Sequence, residues 1–105
     1  MARRERLALD YNRMFNENGL VRGLSIYPHK GKLVLSAQFM VNRKLSKKSR
    51  TLHNRSLFYG FNELCHWLMK SKNIDPSLDI KRQFKPSFLL LKQKYQSLLD
   101  DVKYF

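Results

Sequence analysis

Ten residues from Lys32 to Val41 alternate with a period of two. Leu33, Leu35, Ala37, Phe39 and Val41 fall on one side, and Lys32, Val34, Ser36, Gln38 and Met40 on the other. Successive side chains of a strand point to opposite faces, so the segment reads as a β-strand with one covered face and one mostly open face. A lone strand cannot bury its apolar side, so the rest of the chain must supply partner strands and a covering layer. Upstream, Leu24 and Ile26 alternate with Ser25 and Tyr27, and Pro28 to Gly31 reads as a turn, since proline fixes one dihedral and glycine frees another. Downstream, Asn42 to Lys48 reads as a polar, basic loop. Ser49 to Leu57 reads as a third strand, with Arg50, Leu52 and Asn54 on one side and Thr51, His53 and Arg55 on the other.

The covering layer is helical. From Gly60 to Lys72, after the Tyr59-Gly60-Phe61 step, the residues Phe61, Leu64, Cys65, Leu68 and Met69 recur at helical spacing. Trp67 is expected to pack this helix against a terminal one. From Arg3 to Asn18, Leu7, Tyr11, Met14 and Phe15 share a face, and Gly19 stops the helix. Asp75-Pro76 looks like the cap of a short helix. A last helix is expected from Ser87 to Lys103, with Pro86 before it and Phe88, Leu91, Tyr95, Leu98, Leu99 and Val102 on one face. The expected fold is α+β: a three-stranded antiparallel sheet packed on one helix, flanked by an N-terminal and a C-terminal helix. At 105 residues this is one domain, with the N-terminal helix to residue 19, the sheet-plus-helix module over 20–72 and a helical extension over 73–105.

Charge narrows the function. The formal net charge is +13 and the pI is about 10.3. Between Glu17 and Glu63 no acidic side chain occurs, while Arg22, Lys30, Lys32, Arg43, Lys44, Lys47, Lys48, Arg50 and Arg55 do, with His29 and His53. A solvated surface normally mixes both signs. A one-sign window concentrates positive potential and draws polyanions, of which nucleic acid is the commonest. Arg and Lys read guanine, Gln38 and Asn54 can read adenine, and Ser36 and Thr51 suit bases or phosphate. The basic loop of Lys44, Lys47 and Lys48 is expected to serve phosphates, and Tyr27 to point outward as a stacking surface.

Other classes find little support. His29, His53 and His66 have no ligand spacing, no CxxC or HxxxH occurs, and no glycine-rich phosphate loop is present, so neither a metal site, a cofactor nor catalysis is expected. No apolar run approaches the roughly 18 residues of a membrane span. A single cysteine, Cys65, forms no internal disulfide, and no signal peptide is seen, so the chain reads as intracellular, cytoplasmic or nucleoid-associated.

A family resemblance rests on Val21-Arg22-Gly23-Leu24, Pro28, Gly31-Lys32 and Tyr59-Gly60-Phe61-Asn62-Glu63. Over about residues 21–72 the chain resembles the ethylene-response-factor type DNA-binding domain of plants, and more closely its apicomplexan and phage-borne relatives. The resemblance implies a sheet that enters the major groove, as in the similarly shaped arm-binding domain of phage integrases. Its base- and phosphate-contacting positions fall on Arg22, Ser25, Tyr27, Lys32, Ser36 and Gln38. The chain departs from the plant pattern at Ser25 and Tyr27, where strand-one arginines stand, at Leu33, and in the helix at Leu64, Cys65, Trp67 and Leu68. Double-stranded DNA is therefore the expected partner of a sequence-specific or architectural regulator, with RNA or the ribosome as the alternative. The terminal helices are expected to brace the module or make a homodimer contact. A large apolar patch around Phe88, Leu90 and Tyr104 would instead mark a small viral or mobile-element protein that inhibits a host protein.

Overall fold

Two tight turns build the sheet. β1 (Leu24–His29), β2 (Lys32–Val41) and β3 (Lys44–Thr51) are antiparallel in the order β1-β2-β3. Lys30 (φ 52°) and Gly31 (φ 77°) close the first hairpin, Asn42 (φ 50°) and Arg43 (φ 65°) the second. Two-residue turns with both φ positive are type I′, whose twist matches that of the flanking strands. The computed structural model describes residues 3–52, 56–101 and 103, and for residues 3–8 the backbone alone.

Both turns are shorter than the sequence pattern suggested. Pro28 lies inside β1, paired with Leu33, at an edge strand where a sheet tolerates proline. The expected loop from Asn42 to Lys48 shrinks to Asn42-Arg43, so Lys44, Lys47 and Lys48 are strand residues. β3 ends at Thr51, earlier than Leu57; His53, Asn54 and Arg55 lie outside the described residues.

The covering helix, labelled α2 (Leu57–Ser71), starts three residues before Gly60 because Ser56 caps it. The serine hydroxyl accepts from the Tyr59 amide at 3.2 Å. Its buried stripe is the expected Phe61, Leu64, Cys65, Leu68 and Met69. These residues meet Leu33, Leu35 and Ala37 of β2 and Leu24 and Ile26 of β1 in one core. Trp67 packs on Phe39 of β2, with ring centroids 5.4 Å apart, instead of on a terminal helix.

The N-terminal helix α1 (Arg3–Met14) is shorter than expected. Phe15 pairs with Val21, and Asn16 holds the turn between them, its side-chain oxygen accepting from the Asn18 and Leu20 amides. Gly23 (φ 85°) then brings the chain so close to β2 that a Cβ would stand 2.1 Å from the Gln38 carbonyl oxygen. Only glycine fits both demands.

The C-terminal part differs most from expectation. α3 runs from Leu78 to Lys94, capped by Ser77, and the short α4 (Gln96–Leu99) follows. Pro86 sits inside α3 instead of preceding a helix. It lies on the exposed side, as does Arg82 four residues back, so water can take the carbonyl that loses its helical donor. The buried line of α3 is Ile80, Ser87 and Leu91. Phe84 meets Phe15 and Phe61 edge-on, at 6.3 and 6.4 Å. Gln83 and Ser87 both donate to the Gly19 carbonyl, tying α3 to the loop after α1. The terminal helices therefore brace the module. Val102 and Tyr104 lie outside the described residues.

Candidate nucleic-acid interface

Strand register sorts the candidate residues onto two surfaces. Leu24, Ile26, Leu33, Leu35 and Ala37 face the helices, so their neighbours face the other way. Cross-strand pairing arranges this open side in rows: Tyr27, Val34 and Thr51; Ser25, Ser36 and Ser49; Gln38 and Lys47; Met40 and Leu45. Lys32 stands at one end beside His29. The two turns project Lys30 and Arg43 from opposite ends of the sheet. No carboxylate occurs on the open side of any strand or in either turn.

Tyr27 does point outward, but it is half-buried because the Lys47 ammonium lies over its ring, 5.2 Å from the centroid. This pair spans the serine row diagonally, from the row of Val34 to the row of Gln38. Ser36, on the central strand, is thereby 1% exposed. It faces the predicted side but is closed off by its neighbours, so it offers no contact to a base. Lys32, Gln38, Lys47 and Thr51 are exposed and Ser25 is partly so.

The remaining candidates leave this face. Lys44, Lys48 and Arg50 alternate to the helix side of β3. Arg50 Nε donates to Glu63 Oε2 at 2.8 Å, with both side chains about a quarter exposed (29% and 26%). Arg22 precedes β1 and is not on a strand. Its Nε donates to the carbonyls of Asn12 (2.7 Å) and Phe15 (3.1 Å), where the end of α1 leaves acceptors unpaired. His53 and Arg55 lie outside the described residues.

Three cations are spent on helix ends. Lys72 Nζ donates to the Arg13 carbonyl at 3.1 Å, and Arg13 Nη2 donates to the Lys72 carbonyl. Each thus binds the C-terminal end of the other's helix, which favours positive charge. Burial, then the neighbouring Arg13 and Arg22 charges, pull the Lys72 pKa below the usual lysine value. These residues add to the net charge without being free for a partner.

A second surface lies between β3 and the polar flank of α2. There an open groove of about 510 Å³ is lined by Lys48, Tyr59, Glu63, His66, Trp67 and Lys70, among others. The sequence pattern did not mark its helix residues as a binding surface. The only available signal was the run of aromatic and cationic side chains on the flank of α2 away from its apolar stripe.

Burial pushes the Cys65 thiol pKa up, which disfavours a reactive thiolate. Among the described residues no group of three or more His, Cys, Asp and Glu could hold a metal, and no helix is long and apolar enough to cross a membrane. Phe88 is half-buried against Phe58 and Phe61, at 5.1 and 5.4 Å, and Leu90 is half-buried too, while Tyr104 lies outside the described residues. In comparisons with family models, curated proteins and solved structures, none matches this chain.

Proposed function

We propose that this protein binds double-stranded DNA through the open face of its sheet. Lys32 and Lys47, with Lys30 and Arg43 at the turns, neutralise phosphates. Gln38, Ser25 and Thr51 face base edges in the major groove, which admits a β-ribbon. The observation that carries this reading is a solvent-facing sheet surface, bounded by two basic turns, that holds cations, amide and hydroxyls and no carboxylate. The resemblance read from the sequence over residues 21–72 implies the same use of the sheet. Of the six positions that likeness implies, Ser25, Tyr27, Lys32 and Gln38 lie on the open side, while Arg22 and Ser36 serve the fold.

The test is fluorescence anisotropy with labelled duplex DNA, single-stranded DNA and duplex RNA of one sequence, each titrated with salt. Four phosphate contacts give a slope of log affinity against log salt of about −3 to −4 on duplex DNA. Duplex RNA should bind more weakly, because its deep, narrow major groove shuts out side chains. No binding at low salt, or a flat slope, would overturn the reading. Tighter binding to duplex RNA would replace DNA by RNA as the partner.

A further inference from the structure

We propose that the groove between β3 and α2 is a second, separate nucleic-acid surface, one that holds single-stranded DNA by stacking a base on Trp67 and clamping the adjoining phosphate between Lys48 and Lys70. The proposal extends the duplex-binding reading but rests on different residues.

Three observations carry it. The first is charge. Lys48 enters from the sheet and Lys70 from the helix, and no ion pair occupies either ammonium among the described residues. The one carboxylate in the groove, Glu63, is held by Arg50 at 2.8 Å. The groove is therefore cationic overall.

The second is the aromatic lining. Trp67 is held against Phe39, with the ring planes inclined at 57°, so the indole is fixed before any ligand arrives. His66 is fixed as well. Its Nδ1 lies 2.7 Å from the Asn62 carbonyl oxygen, and since a carbonyl only accepts, Nδ1 is the donor. Tyr59, 57% exposed, adds a third ring. Aromatic rings interleaved with cations make up the lining that single strands use, because every base has a π-face and every linkage a charge.

The third is shape. The volume lies within the roughly 300–1,000 Å³ of small-ligand sites, but the groove is open, and an open trough suits a strand passing through better than an enclosed mononucleotide. Its border is β3, an edge strand. Adjacent residues there, Lys47 and Lys48, face the open sheet side and the groove respectively. A strand leaving a duplex on the open face would cross only that edge to reach Trp67.

Trp67 is the sole tryptophan, so intrinsic fluorescence reports on the groove directly. Titration with an oligothymidylate of about twelve nucleotides should quench it saturably. Lys48→Ala with Lys70→Ala should weaken that binding about tenfold or more, and the double arginine variant should restore it to within about threefold, which separates lost charge from lost folding. Duplex affinity, read by anisotropy, should stay within about twofold for both variants. Absence of quenching, or quenching indifferent to the double alanine change, would overturn the proposal. Equal quenching by thymidine monophosphate at the same concentration would also overturn it, in favour of a free-nucleotide site. Duplex binding without quenching removes the groove alone. Quenching without duplex binding removes the sheet-face reading and leaves the groove standing.

Discussion

β2 and β3 are partners in one hairpin, yet they obey different rules. Five consecutive residues of β2, Leu33 to Ala37, are buried, and no residue of β3 is. The cause is position. β2 is central, with the apolar stripe of α2 on one side and the Tyr27–Lys47 pair closing over Ser36 on the other. β3 is an edge strand that meets the polar flank of α2, through Arg50 and Glu63. A strand freed from packing on both sides can carry four cations. The pleat then deals them alternately to two surfaces, Lys47 to the open face and Lys44, Lys48 and Arg50 to the helix side. β2 thus carries buried core residues, while β3 carries only exposed and half-buried ones.

The largest effect that can break this contrast is a cavity under β2. Leu35 is fully buried, so Leu35→Ala should cost roughly 2–5 kcal/mol, read by denaturant unfolding. Lys48→Ala, on the same side of the sheet but on β3, should stay within about 0.5 kcal/mol. Equal losses at the two positions would erase the distinction.

Gly23→Ala comes next. It combines a left-handed backbone with the close approach to Gln38, and should cost about 1–3 kcal/mol or more in the same unfolding experiment. Normal stability would mean that β1 does not enter the sheet as described.

Gln38→Ala sharpens the comparison from the binding side. The side chain is exposed on β2, so melting should hardly move. Affinity for a preferred duplex should fall by roughly 1–3 kcal/mol if the amide reads a base, with little change on an arbitrary duplex. Arg50→Ala should have the smallest effect. Its partly buried pair with Glu63 is worth about 0.5 kcal/mol, and the loss should shrink as salt is raised.

The same contrast explains what is legible in the sequence. β2 announces itself because a packed face forces alternation, and α2 because its stripe must match that face. The packing of α2 on the sheet and the α+β class follow from these two patterns. β3 has no buried residue, so its lysines look like a loop, and the two positive-φ residues Asn42 and Arg43 that shorten the turn are not glycines. The burial of Ser36 depends on Ser25, Ser49, Tyr27 and Lys47, which only the register brings together. Arg22 reads as a free cation until the end of α1 is seen beside it. Pro86 reads as a helix boundary because a proline inside a helix is tolerated only where water can replace the missing bond, and exposure is a property of the fold.

The most direct test of the account sets Lys47→Ala against Lys48→Ala on one duplex, with affinity measured across a salt series. The residues are adjacent, carry the same charge and face opposite surfaces. Lys47→Ala should weaken duplex binding and reduce the magnitude of the salt slope by about 1, while Lys48→Ala should leave the slope unchanged. Equal slope changes at both positions would mean that the duplex feels only net charge. A change at Lys48 alone would place the duplex contact on the helix side of the sheet, contradicting the open-face interface.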